Sequence, residues 1–408
     1  MLLLRLALRN VFRNRARTAV ALSAIGFGCA ALIVNGGIIY DIFEELREDA
    51  IRGRHGHLQI YREGFTEGHL REPGRYLIPA DESERVLSLV RSHPHVERVT
   101  RQREFSGMIA SGDRYVSFVG LGVDPVEDSE FSRHMLIRAG EPLSPEAPYG
   151  MLCGLGLAER FAGTPGDVVT LMTNTETGAL SAIDASLRGV FEGGMKAFDD
   201  WTLKLPLPAV EELLLDDRTE RILVLLDATE RVDEVRADLS ASFTREGFAL
   251  EMRTWRDLAL FHNQVVGLFS RELDVIKVII SIIVILGIAN TIGMSILERR
   301  VELATLRALG LRRGAIGRLL IMEAVLTGLI GGVIGVGLGW CATRVVTALG
   351  IQFPSPPGAT RPFLGGADFD ALMAIDAFVL LFAATIIAAL FPILKTVRRS
   401  ISTTLRET

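Results

Sequence analysis

Residues 298–339 read ERRVELATLRALGLRRGAIGRLLIMEAVLTGLIGGVIGVGLG, and the stretch changes character twice. Its first part, from Glu298, mixes Arg299, Arg300 and Arg307 with Leu303, Leu306 and Leu309. That mixture predicts a short amphipathic, arginine-rich helix at a membrane surface, stopped by Gly310, because glycine takes the left-handed conformation that closes a helix. Beyond Glu323 the chemistry is different. Ala324 to Thr343 carries no charged residue, and about 20 apolar helical residues cross a hydrocarbon core of about 30 Å. Within that run Gly328/Gly332, Gly331/Gly335 and Gly335/Gly339 are each four apart. The spacing lays small residues in a stripe that admits a second helix closely. Packing inside one chain and contact with a second chain both use such a stripe.

Three further stretches are equally free of charge: Thr18 to Tyr40, Val278 to Leu297 and Ala377 to Leu394. Four membrane spans are therefore expected, at 18–43, 271–297, 319–345 and 371–394. The first is too long for the apolar core of a signal peptide and is followed by no close small-x-small site, so it is taken as an uncleaved anchor. Orientation follows the arginines. Arg5, Arg9, Arg13, Arg15 and Arg17 precede the first span, Arg299 to Arg318 separate the second and third, and Lys395, Arg398, Arg399 and Arg406 follow the fourth. The segments 1–17, 298–318 and 395–408 are thus expected in the cytoplasm. Residues 44–270 and the short connection 346–370 are expected outside. Pro354, Pro356, Pro357 and Pro362 in that connection exclude a helix there.

The 408 residues are 49% hydrophobic yet 23% charged, with a net charge of −5. Apolar spans alternating with a soluble domain account for both numbers, and the absence of a basic excess argues against nucleic-acid binding. Cys29, Cys153 and Cys341 do not pair off in one aqueous compartment, so no internal disulfide is expected. The outside region predicts a mixed α/β domain in two lobes. Strands are expected at His57–Tyr61, Tyr115–Val123, Val168–Met172, Arg221–Leu226 and Phe248–Met252. Helices are expected at Asp81–Ser92, Cys153–Phe161 and Glu230–Glu246. The last helix with its flanking strands makes a β-α-β unit, and Leu258 to Asp274 extends the second span as a stalk.

Chemistry-bearing motifs are few. No Gly-x-x-x-x-Gly-Lys-Ser/Thr loop cradles nucleotide phosphates and no His-Glu-x-x-His zinc pair is present. His55, His57 and His69 are metal candidates only in principle, since alternating histidines on a strand usually mark exposed surface. Cys153 has no identifiable histidine to make it a nucleophile. Three ionisable residues fall at span borders: Glu323, Lys277 and Asp376. For Lys277 and Asp376, separate interfacial placement is favoured over a pair.

The stretch 298–339 closely resembles the FtsX-like permease domain, the family of MacB-type exporters and Lol-type lipoprotein-releasing permeases, here over about 275–400. The resemblance rests on Arg299, Glu302, Leu306, Arg307, Leu309, Gly310 and Glu323. GHLQIYREGF at 56–65, GDVVTL at 166–171 and GVFEGGMKAFDDWTLKLPLPAVEELL at 189–214 resemble the periplasmic domain of Lol-type chains. Pro392 matches the family's proline after the fourth span, but the tail ends in STTLRET where the family has Pro-x-x-Ala-Leu-Arg. The resemblance implies a four-span permease with a MacB-like periplasmic domain in a bacterial inner membrane, with no catalysis and no cofactor of its own. ATP and magnesium would be bound by a cytoplasmic ABC ATPase in two copies. Arg299, Glu302, Leu303, Leu306, Arg307, Leu309 and Gly310 would seat in that ATPase as a coupling helix, the alternative being simple anchorage to anionic lipid. A second permease chain, identical or paralogous, and a periplasmic adaptor or lipoprotein chaperone would complete the machine. Lipoprotein or lipid extraction towards an outer membrane is the first expectation. Efflux of a drug, peptide or toxin from the periplasm is the variant, and a signal relay to a cell-wall hydrolase is the alternative of another class.

Overall fold

The structure is a computed structural model that describes residues 2–13, 15–69, 71–353, 358–360 and 363–398. The four prolines of the short connection and the tail from 399 lie outside the described residues. Two compact units make up the chain. One holds the long helices. The other is an α/β unit of residues 44–265, joined by 354–363.

The chain starts with two helices, α1 (Leu2–Arg13) and α2 (Arg15–Ala50). α1 buries Ala7 and Val11, one turn apart, and packs against the third long helix. The charge pattern alone does not reveal it as a separate element. A widened turn, Ile51–His55, ends at Gly56, where φ is 63° and an added Cβ would lie 2.8 Å from the Val224 carbonyl oxygen, so a side chain is excluded.

The α/β unit follows as β1 (Leu58–Arg62), α3 (Ala80–Arg91), β2 (Val96–Ser111), β3 (Arg114–Val123), α4 (Pro125–Phe131), β4 (Leu136–Gly140), β5 (Gly150–Gly154), α5 (Leu155–Phe161), β6 (Val168–Asn174), β7 (Leu180–Glu192), β8 (Thr202–Pro206), α6 (Leu207–Leu214), β9 (Arg221–Leu226), α7 (Val232–Glu246) and β10 (Leu250–Thr254). Two lobes share the long strand β2. In the first lobe the order is β10-β1-β9-β2, all antiparallel. β9, α7 and β10 form the expected β-α-β unit, but β1 is inserted between its strands. Val86, Val90, Val235, Leu239 and Phe243 cover this sheet from α3 and α7. In the second lobe β2 pairs β3, β3 pairs β8, β8 pairs β5, β5 pairs β7, β7 pairs β6, and β6 returns to β2. The ladder therefore closes on itself. Ile109, Phe118, Met151, Leu171, Leu187 and Leu203 belong to its core, and closure removes the unpaired edges an open sheet exposes.

Several expectations are corrected. Cys153 lies in β5, and the helix starts at Leu155, because the run Gly150–Gly154 is buried throughout as a core strand. Glu230 belongs to a 3-10 turn ahead of α7. The connection near 353–366 is not wholly irregular: β11 (Ile351–Phe353) and β12 (Phe363–Gly365) form a two-stranded ladder. Ala359 in that connection bridges Met195, so part of the short connection belongs to the α/β unit.

The remaining helices are α8 (Leu260–Glu298), α9 (Arg300–Ala308), α10 (Arg313–Leu349) and α11 (Ala371–Arg398). α2, α8, α10 and α11 are long and apolar enough to cross a membrane. At 1.5 Å per residue, the 39 residues of α8 extend about 58 Å, well beyond a hydrocarbon core. The helix expected from Leu258 is continuous with the second span and begins at Leu260. Pro392 does not end the last helix, which runs on to Arg398.

The glycine stripe is used within the chain. A Cβ on Gly331, Gly335 or Gly339 would meet Ile25, Cys29 or Ile33 of α2 at 2.9, 2.5 and 2.8 Å. One on Gly328 or Gly332 would meet Phe382 or Phe378 of α11 at 3.1 and 2.5 Å. α10 is thus the central helix, with a neighbour in close approach on two faces. The stripe thus serves packing inside the chain.

Candidate functional site

The basic end of the helical unit gathers the residues singled out in the sequence. α8 ends at Glu298 and α9 starts at Arg300, with Arg299 as the break between them. Arg299 turns inward. Its Nη1 donates to both carboxylate oxygens of Glu323 at 3.1 and 3.2 Å, and its Nε donates to Glu302 at 3.1 Å. The Arg299 side chain is 11% exposed and that of Glu323 17%. Such shielding makes a charge-assisted bond stronger than its surface equivalent and makes loss of either partner costly. Glu323 also accepts from Asn10 Nδ2 at 2.6 Å.

α1 and α2 supply partners that sequence reasoning did not assign. Arg13 Nη2 donates to Glu302 at 2.8 Å, and Arg17 pairs with Glu298. Hydrogen bonds from Arg13 and then Arg299 hold the Glu302 carboxyl below its usual range. Asn10, Arg13, Arg299, Glu302 and Glu323 therefore form one network over α1, α9 and α10, and Arg17–Glu298 adds a separate pair between α2 and α8. The network borders a cavity of about 80 Å³ whose walls include Thr291, Ser295, Thr327 and Thr385. The basic residues before the first span signalled membrane topology in the sequence, but nothing local paired Arg13 with a residue 289 positions away.

α9 has two faces. Leu303 and Ala304 are buried, Leu303 in a cluster with Ile296, Ile316, Leu320 and Ile393. Leu303 is therefore a packing residue, which corrects its inclusion among docking residues. Leu306 and Arg307 are half-buried. Val301 is 56% and Leu309 77% exposed, and the helix stops at Gly310 with φ of 99°. α9 thus has an anchored inner face and an outer side on which Val301 and Leu309 are exposed.

Lys277 and Asp376 are paired, not separate. Lys277 Nζ lies 2.6 Å from Asp376 Oδ2, tying α8 to α11. The two apolar helices place the residues face to face, and a pair satisfies both charges at once where two lone charges would each need water.

The histidines do not assemble a metal centre. His57 Nδ1 accepts the Leu226 backbone N–H at 3.0 Å, so its Nε2 carries the proton and donates to Thr229 at 3.0 Å. Burial pushes its pKa down to about 4. His69 Nδ1 bonds the Phe65 carbonyl at 2.8 Å. Among the described residues no group of three or more His, Cys, Asp or Glu is placed to hold a metal. Cys153 is fully buried, which pushes its thiol pKa well up and away from nucleophilic use.

Comparison with known proteins follows this layout. Residues 18–242 match the MacB-like periplasmic core domain and residues 275–401 match the FtsX-like permease C-terminal domain. The chain is 33% identical over 117 residues to the uncharacterized ABC transporter permease MJ1507 of Methanocaldococcus jannaschii, a match spanning 29% of each chain. It is 23% identical over 342 residues to the lipoprotein-releasing system transmembrane protein LolC of Neisseria meningitidis, covering 81% of this chain and 78% of that one. Among solved structures, the periplasmic region of MacB from Actinobacillus actinomycetemcomitans aligns with a TM-score of 0.38 and 15% identity, over 51% of this chain and 93% of that one. Two family matches that divide the chain between them, one alone covering more than half of it, place this protein in the FtsX- and MacB-type family of ABC transporter permeases.

Proposed function

We propose that this permease transmits motion from a separate ABC ATPase to its α/β unit, and that it does so to release lipoprotein from a membrane. The observation that carries the first part is α9. It is braced by Arg299–Glu323 and Arg13–Glu302 on one side and presents Val301 and Leu309 on the other. In this reading the basic end, with both termini, lies in the cytoplasm, where two ATPase copies bind ATP and magnesium. Each ATPase receives an α9, with Leu306, Arg307 and Gly310 shaping the seat. A second permease chain completes the assembly, and α2 and α8 act as stalks to the α/β unit. Lipoprotein is preferred over small-molecule efflux because the LolC relative aligns along most of both chains.

Val301→Asp with Leu309→Asp tests the coupling. Both positions are exposed, so the chain should fold and pack normally. The ATPase should no longer co-purify, and activity of the mixed complex should fall at least tenfold. An unchanged complex with unchanged turnover contradicts docking at α9. For the substrate, a triacylated lipopeptide should stimulate ATP hydrolysis of the reconstituted complex. Stimulation by amphiphilic drugs but not by lipopeptide would favour efflux.

A further inference from the structure

The α/β unit contains a cavity of about 220 Å³ that the transmission reading does not use. Its walls include Leu46 and Asp49 from the end of α2, Arg54, Met195 and the segment Leu258–His262, which enters the first turn of α8. Arg54 is the unusual member. An arginine carries five N–H donors and a charge that cannot be given up. Here Nε is buried without a hydrogen-bond partner, and Nη1 donates to the thioether sulfur of Met195, a weak acceptor. The guanidinium carbon lies 5.7 Å from the centre of the Phe198 ring. The carboxylates that favour its charge, Asp49 and Asp199, do so coulombically.

The two nearest carboxylates are engaged elsewhere. Asp49 lies 3.4 Å from His134 Nδ1. Asp199 accepts from the Gly193 backbone N–H at 2.7 Å and from Thr360 Oγ1 at 3.1 Å. Asp49 and Asp199 favour its charge through space, but they leave its hydrogen-bonding capacity unfilled, and a largely desolvated guanidinium with spare donors at the wall of a cavity is better satisfied when an oxyanion arrives. Planar guanidinium donors match phosphate oxygens in pairs. Leu46, Leu260 and Phe261 add an apolar lip beside the charge.

We propose that this cavity binds a phosphate-type oxyanion, with Arg54 as its ligand and the apolar lip holding whatever carbon skeleton the phosphate carries. A phospholipid headgroup and a free phosphate share this chemistry. In sequence, the walls come from segments that end or open helices bearing membrane-length apolar runs, which makes the headgroup the more natural source. The site is independent of docking at α9, so failure of either idea leaves the other standing.

Trp255 reports on it, since its ring lies 5.2 Å from that of His262 in the cavity wall. The chain has three tryptophans, so Trp201→Phe with Trp340→Phe leaves Trp255 as the sole indole. The full chain in maltoside detergent is titrated with inorganic phosphate and with dihexanoyl-phosphatidylglycerol, following fluorescence. Saturable binding is expected, weakened at least tenfold by Arg54→Gln. Leu260→Glu should weaken it similarly by repulsion. Leu260 is 68% exposed, so that variant stays folded even where Arg54→Gln does not. Binding of the lipid alone identifies a headgroup site, and binding of both probes identifies a general phosphate site. No saturable response to either probe, or unaltered affinity in Leu260→Glu, overturns the proposal.

Discussion

At the scale of single residues, His57 shows how a side chain's role is set by partners remote in sequence. The alternation His55, His57 suggested exposed strand or, in principle, metal binding. The structure instead buries the ring between Leu226 and Thr229, 169 and 172 positions away. Such partners leave no local signal. The arrangement has a pH consequence. Folding lowers the His57 pKa from its ordinary 6.5 to about 4 by burial, with Arg52 and Arg47 adding to the shift. Between those values the unfolded chain binds the proton and the folded chain does not. Stability is therefore full above pH 6.5 and falls as pH drops towards 4, by on the order of 3 kcal/mol in all. Denaturant melts of the full chain at pH 7 and pH 5 should differ, and His57→Gln should reduce that dependence, leaving the part carried by buried His55, whose pKa is pushed down to about 3. An equal slope in the variant would show that other groups carry it.

At the scale of elements, the helices were legible and their partners only partly so. Uncharged runs of about 20 residues announce spans through local composition alone, and Gly310 announces the end of α9. The four-residue glycine spacing announced close approach without saying to what. The structure answers with α2 and α11, and the answer is testable. Gly335→Ala puts a methyl 2.5 Å from the Cys29 Cβ, and two backbones must separate to admit it. Overpacking of this kind costs about 1–3 kcal/mol, so the melting temperature in detergent should drop by several degrees. Gly337→Ala, on the same helix with nothing within 4 Å, should leave it unchanged. Equal losses at both sites would mean that the close approach to α2 does not decide the effect, since helix propensity alone favours alanine at either position. The Lys277–Asp376 pair offers a second test. Lys277→Met and Asp376→Asn should each destabilise, and the double variant should lose no more than the worse single one. Additive losses would return both residues to independent interfacial roles. α1 and the strand ring escaped sequence reasoning for a common reason. α1 matters through a helix some 300 residues on, and the ring closes through β6 reaching both β2 and β7. Periodicity reports which face is buried, not what buries it.

At the scale of the whole molecule, the proposed mechanism requires one topology. If α9 meets an ATPase, the basic end must face the cytoplasm and the α/β unit must face away. Arginine placement favours this, since Arg299, Arg300, Arg307, Arg312, Arg313 and Arg318 crowd the loop between the second and third spans, while the connection after the third holds only Arg361 against Asp368 and Asp370. Thr305 and Glu146 are both exposed and lie in α9 and in the α/β unit. In a background with Cys29, Cys153 and Cys341 replaced, Thr305→Cys should react with a membrane-impermeant maleimide only in inverted vesicles. Glu146→Cys should react only in intact cells whose outer barrier is opened. Each labelling pattern checks the other, because an inverted chain would exchange both and a chain with a different number of crossings would place both cysteines on one side. Exchange of the two patterns would put Val301 and Leu309 beyond reach of any nucleotide-driven partner. The bracing of α9 by Arg13 and Glu323 would then need another purpose, for the same residues would tie together a surface that no ATPase can push.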